Sequence, residues 1–209
     1  MSKNLFIVFE GIDGSGKTMQ TEKLYFNIKR QLNQEVHYTK EPTVGPIGVF
    51  IKEHFLSGKT EISEEALMYL FTADRIEHLY TGDGSLTKML EESHVICDRY
   101  MLSSLAYNSF AYQSEAVKQM AFGQTHRIPD ITFFMDIPID VAIERIKQRK
   151  GPREIFDNVD KLHEVYDRYQ NIIHGYPNHN IKVIDANRDP NIVAEDIFVT
   201  LCKHIDGIA

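Results

Sequence analysis

Five short runs of β-type residues recur along the chain, at residues 5–9, 36–39, 95–97, 131–135 and 181–184, with Val, Ile and Phe prominent in them. Runs of that length with β-branched and aromatic side chains predict strands of one sheet. Between them apolar residues fall three and four apart, predicting helices over 17–32, 47–56 and 63–79 and a long helical region over 141–173. Ser63 followed by Glu64 and Glu65 suits a helix N-terminus, where a hydroxyl and carboxylates meet unpaired N–H groups. Thr81-Gly82-Asp83-Gly84-Ser85 predicts a turn, and Gly151-Pro152 interrupts the long helical region. Strands alternating with helices predict an α/β fold: a three-layer sandwich whose five-stranded parallel sheet is flanked by helices. No repeat, linker or low-complexity tract divides residues 1–209, so a single domain is expected.

The first strand runs straight into Gly11-Ile12-Asp13-Gly14-Ser15-Gly16-Lys17-Thr18, which in turn opens a helix. Glycines at this spacing let successive backbone N–H groups point inward at phosphate oxygens, and the helix adds its positive end. Such a P-loop predicts nucleoside triphosphate binding, with Lys17 reaching the β- and γ-phosphates and Thr18 ligating Mg²⁺. The third strand ends in Asp98, a second metal-side candidate, and Arg99 follows where open α/β sheets bind ligands.

Charge sharpens this picture. The 209-residue chain carries a net charge of −7, so it has no general basic field for nucleic acid or an acidic membrane. Its phosphate-handling cations must be concentrated locally. One concentration is Arg145-Ile146-Lys147-Gln148-Arg149-Lys150-Gly151-Pro152-Arg153, with five cations in nine residues beside a helix break. A mobile lid at about 147–157 that closes over transferring phosphates fits this composition. Phe71 and Arg75, four apart on one helix face, can stack on and hydrogen-bond a planar base. The first apolar run ends at Glu10, too short for a signal peptide or a membrane span. Cys97 and Cys202 lack zinc or redox spacing, and the nine histidines form no metal motif, so a cytoplasmic setting is expected.

Several segments agree in order and spacing with one family. Phe9 through Thr18, Thr39-Lys40-Glu41-Pro42, Phe71-Thr72-Ala73-Asp74-Arg75, the segment from Asp98 to Tyr107, Pro129-Asp130-Ile131-Thr132 and the Arg-rich lid resemble thymidylate kinases over nearly the whole chain. The resemblance implies transfer of the ATP γ-phosphoryl group to dTMP with Mg²⁺, by a homodimer. By position it implies that Asp13 contacts the acceptor sugar, Phe71 stacks on thymine and Arg75 bonds the base. Glu41 and Pro42 would border the acceptor, with Glu41 as a positioning group, and Arg99 would hold its phosphate. Ser104 and Asn108 would face the base, and Tyr107 would crowd the sugar's 2′ position. Gly14 in place of arginine resembles the bacterial type, in which lid arginines, here Arg149 and Arg153, supply catalytic charge.

The chain departs from the family on the acceptor side. Lys52 stands where relatives commonly carry a phosphate-binding arginine, and lysine lacks the bidentate fork. Asn108 stands where many have glutamine. A kinase for another deoxynucleoside monophosphate and a non-catalytic nucleotide-binding regulator are the alternative readings.

Overall fold

The computed structural model describes residues 3–122, 126–148, 159–175 and 180–208. In chain order the elements are β1 (Phe6–Glu10), α1 (Lys17–Asn27), β2 (Val36–Lys40), α2 (Pro46–Phe50), α3 (Glu64–Tyr80), α4 (Leu86–Glu92) and β3 (His94–Asp98). There follow α5 (Met101–Tyr107), α6 (Ser109–Gln113), α7 (Glu115–Phe122), β4 (Ile131–Asp136), α8 (Ile139–Gln148), α9 (Val159–Gly175), β5 (Ile181–Asp185) and α10 (Pro190–Ile208). Helices α1 and α2 each run on into a wider π-type segment, Ile28–Leu32 and Ile51–Leu56.

The five strands pair in the order β2-β3-β1-β4-β5, and every pairing is parallel. This is the expected α/β architecture. β1 and β3 are buried at every position, as central parallel strands covered on both faces must be. Each strand extends one residue beyond the apolar run that predicts it, and each added residue is charged: Glu10, Lys40, Asp98, Asp136 and Asp185. The ladder continues to the carboxyl edge of the sheet while the side chains there turn polar.

Topology explains why that edge becomes a site. From β1 the chain crosses past β3 to reach β2; from β3 it crosses past β1 to reach β4. Right-handed crossovers in opposite directions put their helices on opposite faces of the sheet. Accordingly α1 packs with α10, and α5 packs with α9. The carboxyl ends of β1 and β3 lie between those diverging connections, where a crevice opens.

A smaller core of Ile51, Phe55, Leu56 and Leu67, with Phe71 packed against it, joins the end of α2 to α3. Ser63 caps α3 as expected, accepting from the Ala66 N–H at 3.2 Å. The loop before α2 is fixed by Asp74 of α3, whose two carboxylate oxygens accept from the Thr43 N–H and hydroxyl at 2.8 and 2.6 Å. Gly48 of α2 packs so closely on this loop that a Cβ there would lie 2.3 Å from the Thr43 carbonyl oxygen. Alanine is the better helix former by about 1 kcal/mol, but here it meets fixed backbone. Gly48→Ala is therefore expected to destabilise the protein by about 1–3 kcal/mol, as overpacking does. Denaturant unfolding tests this; a variant as stable as the parent would show that the Thr43 loop yields freely.

Candidate active site

The P-loop leaves β1 at its carboxyl end and feeds α1. Gly14 has φ +80°, and a Cβ there would lie 2.5 Å from the Ala142 carbonyl oxygen of α8. The loop thus lies directly on α8, and a side chain at this position has neither the conformation nor the space. Lys17 folds back on its own loop: Nζ donates to the Gly11 and Ile12 carbonyls, both at 2.8 Å, and approaches Ser15 Oγ at 3.3 Å. Burial, reinforced by the Arg99 charge, brings its pKa down to about 8 against the opposing pull of Asp13, Asp98 and Glu10.

Beside it the Thr18 hydroxyl donates to Asp98 Oδ2 at 2.7 Å. The other oxygen of Asp98 is buried and has no hydrogen-bond partner among the described residues. A hydroxyl next to an unsatisfied buried carboxylate oxygen fits a hard, oxygen-seeking cation. Among the described residues no group of three or more His, Cys, Asp or Glu could hold a metal alone. An ion here would share its shell with phosphate and water, as Mg²⁺ does.

Arg99 leaves β3 in the left-handed region, φ +69°, with its N–H bonded to the Phe9 carbonyl at 2.9 Å. Its guanidinium pairs with Asp13, reaches Tyr107 Oη at 3.3 Å and Ser103 Oγ at 3.1 Å, and lies over the Tyr107 ring at 4.8 Å. Tyr107 closes this group by donating to Asp13 Oδ2 and accepting from the Asp13 N–H, both at 2.9 Å. Burial pushes the Asp13 carboxyl up, but Arg99 and Lys17 together outweigh it and hold the pKa below the usual carboxylate value. For Arg99 burial opposes the charge, and the Asp13 carboxylate more than restores it.

A second buried pair joins Glu41, just after β2, to Arg75 of α3. Glu41 Oε2 accepts from Arg75 Nε and Nη2 at 2.8 and 2.5 Å, and Oε1 lies 3.1 Å from His78 Nδ1. Arg75 Nη2 also donates to Ser104 Oγ at 2.9 Å, and the guanidinium lies 4.9 Å from the Tyr100 ring centroid. Burial would raise the Glu41 pKa; Arg75 and His78 reverse that and lower it.

One cavity of about 1000 Å³ brings these groups together. Asp13, Gly14, Gly16, Lys17 and Thr18 line it from the P-loop, with Asp98 and Arg99 from the end of β3. Glu41, Pro42, Lys52, Phe71, Arg75, Ser104, Tyr107 and Asn108 line it as well. Gly11, Ile12 and Ser15 do not: the Ile12 side chain is in the core and Ser15 is buried beneath the loop. Lys52 donates to the Thr43 carbonyl at 3.2 Å. Asn108 lines the cavity with its amide bonded to backbone on both sides. Its Oδ1 accepts from the Ala111 N–H at 2.9 Å as the cap of α6, and its Nδ2 donates to the Glu64 carbonyl at 2.6 Å. Arg149, Arg153 and most of the expected lid at 147–157 lie outside the described residues. Of that cationic run, Arg145 lies beside the P-loop, 3.4 Å from the Gly14 carbonyl.

A thymidylate kinase family model matches residues 9–197. The chain belongs to the thymidylate kinase family. It is 38% identical over 192 residues, 90% of each chain, to a probable thymidylate kinase of Methanocaldococcus jannaschii. It is 34% identical to a putative thymidylate kinase of Treponema pallidum over 92% of each chain. A thymidylate kinase of Leptospira interrogans is 32% identical over 96% of this chain and 97% of its own. Membership makes the chain an enzyme, a kinase.

Sequence reasoning missed several groups around the site. Glu10, Ser103 and Tyr169 form a hydrogen-bonded cluster behind Arg99, and His78 backs Glu41. Lys161 of α9 lines the cavity and pairs with Glu64 at 3.1 Å. The available signal was the charged residue, Glu10, closing the buried strand β1; its partners are remote in sequence.

The Lys17 geometry yields a pH dependence. A lysine pKa lowered to about 8 means the free protein loses that positive charge as pH rises through this value. Affinity for a non-hydrolysable ATP analogue should therefore fall above pH 8, by up to about tenfold per pH unit. Calorimetric titrations between pH 6.5 and 9.5 check this. Lys17→Met should bind weakly without that break, and a flat wild-type profile would contradict the assignment.

Proposed function

We propose that this enzyme transfers the γ-phosphoryl group of ATP to the phosphate of dTMP, producing dTDP and ADP. The observation that carries the reading is a single cavity shared by a P-loop and a set of acceptor-type groups, Phe71, Arg75, Arg99 and Tyr107. A P-loop alone would serve any triphosphate; an aromatic wall with buried guanidiniums in the same cavity suits a second nucleotide. Family membership favours dTMP as that nucleotide.

In this reading Lys17 leaves its loop carbonyls for the β- and γ-phosphates, and the backbone from Gly11 to Gly16 cradles them. Arg99 exchanges part of its contact with Asp13 for the acceptor phosphate, holding it in line with the γ-phosphorus. Phe71 stacks on thymine, while Arg75 and Ser104 meet its edge; Glu41 and His78 keep Arg75 in place. Asp13 takes the sugar 3′-hydroxyl, and Tyr107 crowds the 2′ position against ribose. Lys52 adds charge near the acceptor, and Pro42 borders it. An acceptor phosphate oxygen bonds to the γ-phosphorus as its bond to the bridging oxygen breaks, and that electron pair leaves with ADP. The acceptor is already an anion, so no strong base is required; positioning and charge stabilisation do the work. Thr18 and Asp98 would hold Mg²⁺, which when bound supplies neutralising charge at the phosphate oxygens.

Arg149 and Arg153 belong to the same reading as lid cations for the transferring group. A homodimer is also proposed, supported by the exposed apolar residues Tyr69, Ile76 and Tyr80 on α3 and Val49 and Phe50 on α2, a helix that packs with α3. A cytoplasmic setting accords with free cysteines, and among the described residues no helix is long and apolar enough to cross a membrane.

An ADP-release assay over all nucleoside monophosphates tests the function. Turnover should require dTMP and a divalent cation, and Lys17→Ala should lower kcat by about 10³. Equal or faster turnover with another monophosphate would redirect the acceptor assignment, and survival of Lys17→Ala within a few-fold would sink the role of that lysine. For the lid, Arg153→Ala should lower kcat more than it raises KM for ATP. An effect confined to KM would make Arg153 a binding residue instead.

A further inference from the structure

Behind Arg99 lies a carboxylate that does not itself line the cavity. Glu10, the last residue of β1, is 0% exposed, yet all its hydrogen bonds lead toward the site. Its Oε1 accepts from the Tyr100 and Ser103 N–H groups at 3.0 and 3.1 Å, the first turn of α5. Its Oε2 accepts from the Ser103 hydroxyl at 2.6 Å and the Tyr169 hydroxyl at 3.0 Å. Ser103 Oγ in turn is 3.1 Å from Arg99 Nη1.

The Ser103 hydroxyl donates to Glu10 Oε2, and a serine hydroxyl has one proton. With that proton given to Glu10, the Ser103 oxygen presents lone pairs alone to Arg99, whose guanidinium only donates. We propose that Glu10 is a positioning residue for the acceptor phosphate, acting through Ser103 to fix the Arg99 guanidinium. Asp13 and Tyr107 hold the Nη2 side of that guanidinium, and Ser103 with the Gly11 carbonyl, at 3.4 Å, holds the Nη1 side. The Nη1 side is thereby tied through Ser103 to Glu10 of the buried strand β1. Tyr169 brings α9 into the same cluster, since its hydroxyl is also 2.9 Å from Ser103 Oγ. The arrangement has a sequence-level consequence: a glutamine at position 10 keeps the shape but can offer its NH₂ to Ser103. The serine proton is then free to turn toward Arg99, where it repels the guanidinium.

The inference rests on the reading of Arg99 as the acceptor-phosphate group, and the test separates the two. Calorimetry would compare dTMP with thymidine, which lacks the phosphate, on wild type, Glu10→Gln and Ser103→Ala. Glu10→Gln is expected to weaken dTMP binding by about tenfold or more, the effect of losing one well-placed charged hydrogen bond. Thymidine affinity and the KM for ATP should stay within about twofold, because neither ligand uses Arg99 in this way. Should Glu10→Gln fail to fold, Ser103→Ala leaves the Glu10 bonds to the Tyr100 and Ser103 N–H groups and to Tyr169 intact, and is expected to give the same selective loss. Equal weakening of dTMP and thymidine would show a structural role and overturn the proposal, as would no weakening of either. A wild type without dTMP-dependent turnover would overturn the function reading and this inference together; normal wild-type turnover with unselective losses overturns the positioning role alone.

Discussion

The pairing of Asp13 with Arg99 is the contact on which the site depends. It ties the P-loop, which leaves β1, to the residue that leaves β3, and so spans the crevice between the diverging crossovers. A guanidinium and a carboxylate this close to the core are tolerable only as partners, because removing either leaves the other uncompensated. Arg99 also accepts a left-handed backbone conformation to reach that position, which non-glycine residues adopt at some cost. Tyr107 bonds both the side chain and the backbone of Asp13, so the position of the loop is set from α5 as well as from the sheet.

The same logic recurs across the cavity. Lys17 rests on its own loop carbonyls, Arg75 on Glu41, and Lys161 on Glu64. A chain with net charge −7 thus gathers cations in one cavity, each of these resting on a carboxylate or on carbonyls of the protein. Anionic ligands would not meet bare charge; they would take over bonds now made internally. The net gain per contact is then a difference between two good hydrogen bonds, and specificity falls to geometry. This is why the anchoring of each guanidinium matters as much as its charge.

Much of this was legible in the sequence, and the limits are physical. β1, β3 and β4 were readable because central parallel strands are continuous apolar runs, and the edge strands β2 and β5 because β-branched and aromatic residues recur in them. The runs at β1, β2, β4 and β5 stop one residue short because the strand's last residue, such as Glu10, is charged, and hydropathy cannot distinguish a strand's polar end from a loop; at β3 the neighbouring P-loop identifies Asp98 as the strand end. The helices over 17–32 and 47–56 were placed correctly, but the wider segments at Ile28–Leu32 and Ile51–Leu56 were not foreseen, since a single turn is too short to reveal its period. The P-loop was readable because its chemistry is local backbone geometry. The Glu10 bond to Tyr169 joins residues 159 apart and leaves no local pattern. Asn108 was assigned by family position, although an asparagine ahead of a short helix also carries a capping signal.

That capping role bears on how the acceptor base is read. Nδ2 of Asn108 is fixed on the Glu64 carbonyl and Oδ1 on the Ala111 N–H, so the amide is held by backbone on both sides. A longer glutamine could cap less directly and extend further into the cavity; asparagine here is matched to the start of α6. In the proposed reading, base recognition therefore shifts toward Arg75 and Ser104, which bond each other at 2.9 Å and line the cavity. Arg75 is held in turn by Glu41 through both Nε and Nη2. Its remaining donors have little freedom to follow a base of different shape. Discrimination would then come from the rigidity of one guanidinium, with Glu41, just after β2, serving the base as Glu10 serves the phosphate.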